Sequence, residues 1–437
     1  MLMLQFISKS LAVLLIALVL GGCQSKAQPN DASSGLFEYR GLYTPSNTEE
    51  MQRAMHTNHP DYDWGLWGHN LSKVIKDNAT DGMFAVVDGK RNRKQLCFSS
   101  KELYKCVREY IIDQFGNGSS EYNERISIMP LDNKIACRCA ACMAKGNTEG
   151  NATPAVTSFI SRLAKEFPKH KFFTSAYHTT KIAPTIPLPK NVGVFISSID
   201  LPMRVDFSKT SGYKNFVEMV KSWKQKCGKI YIWDYERNYD DYLSPFPCLL
   251  TMQARFKLYR QLGVKGIFVN GSGDDYSAFD DMQSYVIASL MDNPDIDVYK
   301  AVGRYFSKYY PITADILLKY YWGLEMRSKT TNHILPLYGT MKEMCDSYLN
   351  AKEFVDFRRK LDAKSKLTSG DERKRLNALL TSLSYTQLEL YRCGIIPKDV
   401  EAAIEMREIL KGHKELKGMV NRDESGHHID DYLKQWK

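Results

Sequence analysis

A (β/α)8 barrel followed by an all-α C-terminal region is the fold this chain predicts, and three observations predict it. Apolar strand-like runs alternate with amphipathic helical segments from residue 36 to residue 293. The alternation fills about 250 residues, the usual extent of such a barrel. After Asn293-Pro294 the strand-like runs stop and long helical periodicities take over.

The strand runs fall at 36–43, 64–70, 83–87, 125–131, 172–178, 192–199, 230–235 and 266–270. Short continuous apolar runs of this kind suit parallel strands covered on both faces. The run 83–87 reads either as a wall strand or as a loop excursion. Helical spacing occupies 102–115, 154–167, 212–223, 249–262 and 279–290, with Thr153 the expected cap ahead of Pro154. The barrel is thus expected over 36–293 and a helical domain over 294–437. In the latter, apolar periodicities run at 298–310, 313–326, 335–349, 351–360, 371–391 and 397–410, ahead of a polar, solvent-exposed tail holding His427 and His428.

Residues 1–22 read as an export signal. Lys9 supplies positive charge, and the apolar core 11–20 is too short to remain as a membrane span. The following Leu20-Gly-Gly-Cys23 resembles a bacterial lipoprotein box, whose cleavage would leave a lipid on Cys23. An ordinary secretory signal with a nearby cysteine is the alternative. Residues 23–35 are polar and rich in small side chains, as a flexible tether would be.

The formal net charge is +10, concentrated in runs such as Phe357-Arg-Arg-Lys360 and Glu372-Arg-Lys-Arg375. No aromatic or glycine interleaving accompanies these runs, so they read as solvated helix faces, and no nucleic-acid partner is expected.

Chemistry in a parallel barrel sits at the carboxyl ends of the strands. Those ends carry Arg40, His69, Asn70, Asp132, Asn133, Tyr177, His178, Trp233, Asp234, Tyr235 and Asn270. Planar polar groups that bond hydroxyls, beside aromatic faces that stack on a ring, are what a sugar site requires. Glycoside cleavage needs a proton donor and a second group at the anomeric carbon, a role that the acetamide of an N-acetylated sugar can fill itself. Asp132 and Asp234 are the catalytic candidates, with Asp132 either the acid or the orienter of an acetamide. Arg40, His69, Asn70, Asn133, Tyr177, Trp233, Tyr235 and Asn270 are the substrate-binding candidates. Glu236 shares the face of Asp234 by period two, and Asp274 and Asp275 lie just beyond the last strand.

Nine cysteines follow Cys23. Cys137-x-Cys139-x-x-Cys142 with Cys97 offers four thiolates for a structural zinc ion. Two disulfides are an equal alternative in an exported chain. Catalysis itself calls for no cofactor.

The ordered set Phe37-Glu-Tyr-Arg40, Gly68-His-Asn70, Asp88-Gly-Lys-Arg91 with Gln95-Leu-Cys97, Leu131-Asp-Asn133, Ala176-Tyr-His178, Ile232-Trp-Asp-Tyr235 and Lys265-Gly-Ile-Phe268 resembles a family of surface lipoproteins of Gram-negative bacteria. This is the domain of unknown function 4838, related to glycoside hydrolase barrels and to endo-β-N-acetylglucosaminidases acting on N-glycans. The resemblance implies a glycan or glycoprotein substrate and an exported protein anchored through Cys23 at the periplasmic face or cell surface. Related barrels carry a Glu as proton donor at the fourth strand's tip, where this chain has Asn133. The expected function is therefore a glycoside hydrolase acting on an N-acetylglucosamine-containing glycan. A non-catalytic glycan-binding lipoprotein is the alternative, followed by a structural protein that docks a partner through its basic helices.

Overall fold

Glycine-punctuated apolar runs become a parallel sheet in the computed structural model, which describes residues 36–119 and 123–436. The export signal, Cys23 and the tether lie outside the described residues. Eight strands are present among the described residues: β1 Tyr39–Tyr43, β2 Phe84–Val87, β3 Lys90–Leu96, β4 Arg125–Ser127, β5 Lys171–Ala176, β6 Val192–Ser197, β7 Lys229–Tyr235 and β8 Gly266–Asn270. Six of them form one parallel sheet in the order β1-β8-β7-β6-β5-β4, while β2 and β3 pair antiparallel as a separate hairpin. No helix among the described residues is long and apolar enough to cross a membrane.

The wall is thus a six-stranded parallel half-barrel rather than eight regular strands. Between its two edges run two single bridges, Gly41 to Asn58 and Leu66 to Ile126. The expected strand at 64–70 is reduced to the second of these. Gly68 adopts φ +63°, which ends any extended run, and the helix Leu71–Ile75 starts directly after. The run 83–87 takes the excursion alternative. It turns at Asp88-Gly89, where both residues have positive φ, and pairs back on β3.

Aromatic rings fill the concave face of the sheet. Tyr39, Trp64, Met129, Phe173, Phe195, Tyr231 and Phe268 form one buried cluster, with Tyr43, Trp67 and Trp233 partly buried above it. Tyr39 stacks on Tyr231 at 5.5 Å, and its hydroxyl accepts the Trp64 Nε1–H at 2.9 Å, so the buried polar tips are paired. The convex face is covered by helices, among them Lys101–Phe115, Thr153–Glu166, Ser211–Lys224, Leu249–Leu262 and Asp280–Asp292. Thr153 does not cap its helix. Asn147 does part of that work, its Oδ1 accepting the Ala155 N–H at 3.0 Å.

Beyond residue 293 the described chain is helical, with helices Val298–Tyr309, Ala314–Thr330, Met341–Ser347, Ala351–Ser365, Gly370–Arg392, Val400–Lys411 and Ile429–Lys434. One apolar cluster runs from Phe256 and Tyr259 behind the sheet to Tyr321, Phe354 and Leu383 in these helices. The expected polar tail is docked rather than free. Met419, Ile429, Tyr432 and Leu433 are buried with Leu243, although His427 and His428 themselves stay exposed.

Candidate functional site

The carboxyl ends of β5 and β7, with the loops after Leu66 and after β4, build a half-open mouth. Trp67 and Trp233 lie nearly parallel there, with ring centroids 5.1 Å apart and planes 14° apart. Both are partly exposed. Alternation along β7 decides this. Trp233 faces the concave side, so its neighbour Asp234 must face the helices.

Around the tryptophan pair stand His69, Tyr177, His178 and Asp132. The His69 ring is 6.0 Å from both Tyr177 and Trp233. Its Nδ1 lies 2.5 Å from the Pro130 carbonyl. A carbonyl only accepts, so Nδ1 is the donor. Tyr177 stacks on His178 at 3.7 Å. His178, at φ +47°, turns its Nε2 to within 3.5 Å of Asp132 Oδ1. Asp132 is 62% exposed at this point, a carboxylate presented to solvent. Burial holds His178 below the usual histidine value. Asp132 opposes that shift, and Lys134, Lys181 and His69 reinforce it. Tyr177 is pushed up to about 12 by burial, then by the charges of Asp132, Asp200 and Glu424.

Several expected site residues stand elsewhere. Asp234 is wholly buried on the helix side, where Ser198 (2.6 Å), Tyr259 (2.7 Å), the Tyr235 N–H (2.9 Å) and the Arg255 guanidinium occupy its oxygens. That arrangement corrects its assignment as a catalytic group. Arg40 likewise faces outward, 3% exposed, and donates to Asp292 at 3.1 Å. Tyr235 is buried with its hydroxyl 2.9 Å from Ser197. Asn133 spends its amide on the loop itself. Its Oδ1 accepts from Gln95 and the Ile135 N–H, and its Nδ2 donates to the Lys94 carbonyl. Asn70 turns its Nδ2 back to the Trp67 carbonyl at 2.7 Å. Asn270 closes β8 beside Tyr43 and Tyr235, and its carbonyl accepts the Tyr239 hydroxyl at 2.7 Å. Glu236 is enclosed too, 2.8 Å from Arg237.

The four thiols Cys97, Cys137, Cys139 and Cys142 come together, every sulfur within 4.8 Å of the others. Cys106 stays apart, with its sulfur on the Val74 carbonyl. The cluster lies at the foot of the loop that carries Asp132. Gln95, two residues before Cys97, clasps that loop, bonding the Leu131 N–H at 3.0 Å and the Leu131 carbonyl at 2.9 Å.

Residues 25–322 match the family model described as Domain of unknown function (DUF4838). The chain belongs to this family. No curated protein matches it. Among solved structures, that of CpGH84B aligns with 92% of this chain and 78% of its own at 14% identity, with a TM-score of 0.43. That likeness is too distant to carry an argument about mechanism.

The family segment contains the tryptophan pair, Asp132, His178 and the thiols. It does not contain Tyr338 and Glu424, which sequence reasoning also missed. The Tyr338 hydroxyl donates to Glu424 Oε2 at 2.7 Å, and its ring stands 5.4 Å from Tyr239. Glu424 is near enough to act on Tyr177. A second acidic group stands at the end of β1, where Asp274 and Asp275, expected just beyond the last strand, are joined by His59 and Asp61, which sequence reasoning missed. His59 and Tyr43 pack at 5.6 Å, and Tyr43 is pushed up to about 12 by burial and by Asp61, Asp274 and Asp275. No local motif flags His59, Asp61, Tyr338 or Glu424. The one signal was Trp67, which lies in the expected strand run but was not singled out.

Proposed function

We propose that this protein binds a glycan at the mouth of the parallel sheet and hydrolyses a glycosidic bond there, on a substrate containing N-acetylglucosamine. The observation that carries the reading is the Trp67–Trp233 pair, two near-parallel, partly exposed rings beside His69, Tyr177 and the Asp132–His178 pair. A sugar's apolar face stacks on such rings while its hydroxyls bond to the surrounding polar groups. In this reading the acetamide of the bound sugar attacks its own anomeric carbon. Asp132 holds the acetamide N–H, with His178 steadying the carboxylate. Glu424, whose charge reaches Tyr177, is the candidate in this reading to protonate the leaving oxygen. The protein would act outside the cytoplasm, held to a membrane by lipid on Cys23.

A second reading, binding without cleavage, draws on a specific observation. Asp234 and Glu236 are locked in buried ion pairs and Glu424 already accepts the Tyr338 hydroxyl, so Asp132 is the exposed carboxylate left beside His178 and the tryptophans. A screen against released glycans and N-glycoproteins, with Asp132→Asn and Trp233→Leu alongside, separates the two. Products from the wild type that vanish in Asp132→Asn support hydrolysis. Binding without products, weakened in Trp233→Leu, supports the second reading. Neither binding nor products would overturn both.

A further inference from the structure

We propose that Cys97, Cys137, Cys139 and Cys142 hold one zinc ion in a closed tetrahedral thiolate site, which fastens the β2–β3 hairpin and the Asp132 loop to the side of the sheet. The sulfur spacing is the first argument. Zinc–thiolate bonds are about 2.3 Å long, so four sulfurs at tetrahedral angles stand about 3.8 Å apart. The Cys97 sulfur lies 3.7 Å from that of Cys139 and 3.8 Å from that of Cys142. One sulfur standing at this distance from two others suits a shared central ion. A disulfide would instead draw two sulfurs to about 2.05 Å and pair them off.

The surroundings are the second argument. The Val86 N–H points at the Cys137 sulfur from 3.2 Å, as backbone amides do toward metal-bound thiolates. The Ser99 hydroxyl stands 3.1 Å from the Cys142 sulfur and 3.1 Å from Lys145 Nζ. A four-thiolate zinc centre carries net negative charge, and this hydroxyl and ammonium would offset part of it. Cys97 and Cys137 are 3% exposed, Cys142 is fully buried and Cys139 is partly exposed; four protein thiolates complete the tetrahedron and leave no open position for a substrate. The role is therefore structural. The ligands come from three segments: the end of β3, the loop after β4, and the short helix Ala140–Met143. Gln95 carries the constraint on to Leu131 beside Asp132.

This proposal stands apart from the glycan reading, because its test measures metal and thiols rather than products. The purified full chain is assayed for bound metals by mass spectrometry, and its thiols are titrated with and without reductant. The expected result is about one zinc per chain, with four cysteines that resist alkylation until a chelator is added. Cobalt(II) exchanged into the site should show the intense sulfur-to-cobalt charge-transfer absorption of a thiolate complex. Cys393→Ser, an exposed cysteine outside the cluster, should leave metal content unchanged, and Cys137→Ser should lose the ion. The wild-type cobalt spectrum decides the matter if Cys137→Ser fails to fold. A folded chain whose four thiols become reactive only after reduction would show disulfides and overturn the proposal. So would a folded, reduced chain that binds neither zinc nor cobalt.

Discussion

His178 Nε2 lies 3.5 Å from Asp132 Oδ1, and the two residues reach each other from the ends of different strands. Loop ends built this way place a titratable base beside an exposed carboxylate without burying either completely. The pair is an ion pair only when His178 is protonated.

That condition sets a pH dependence. His178 is held below its ordinary 6.5, chiefly by burial. It should therefore titrate below 6.5 in the folded chain, and Asp132→Asn should lower it further by removing the charge that opposes the shift. The sign for stability follows. Between the folded and unfolded values the unfolded chain binds more protons, so stability rises with pH in that window. The contribution of His178 is unfavourable at pH values below its folded value and vanishes above about 6.5. A histidine-resolved NMR titration of wild type and Asp132→Asn checks both statements. A value above 6.5 in the wild type would refute them.

Asp234 and Asp132 should separate cleanly by stability. Asp234→Asn leaves the Arg255 guanidinium buried against a neutral amide, and breaking a buried pair costs about 3–5 kcal/mol. Asp132→Asn sits at the exposed mouth and should change unfolding free energy by less than about 0.5 kcal/mol. Urea denaturation of the two variants is the measurement. Equal effects would mean that Asp132 is part of the fold's framework rather than a site group.

Trp233→Leu keeps an apolar side chain above Phe268 and Phe195 but removes the ring parallel to Trp67. The indole is the flat apolar face a sugar ring would stack on, so in the proposed reading glycan affinity should weaken several-fold. Titration calorimetry with a glycan found in the screen gives the figure. An unchanged Kd would place the binding surface elsewhere.

The sequence made the parallel strands legible because β1, β5, β6, β7 and β8 are short apolar runs with few polar interruptions. It concealed β3, whose Lys90-Arg-Asn-Arg-Lys-Gln-Leu96 is exposed on one side of a hairpin and reads as loop. It also left the facing of Asp234 and Trp233 open, since alternation fixes only that they oppose each other, not which one faces inward. Tyr338 and Glu424 were out of reach altogether. They enter the mouth from a region with helical spacing and a polar tail, and their approach depends on tertiary docking of Met419, Tyr432 and Leu433.

The filling of the sheet's concave face by rings has a consequence at Gly193. A Cβ there would stand 2.2 Å from Cε1 of Phe173, on the neighbouring strand. Phe173 cannot withdraw, because it packs against Trp64 at 5.0 Å and Tyr231 at 4.8 Å. Gly193→Ala should therefore destabilise the fold by about 1–3 kcal/mol, the usual effect of overpacking. Phe173→Leu alone opens space and also destabilises. Joined to Gly193→Ala it should recover part of the loss, because the new methyl occupies room the ring gave up. A double-mutant cycle by urea denaturation measures that coupling. Strict additivity would mean that the methyl is accommodated by backbone movement along β6, and that the rings do not set the spacing of the strands.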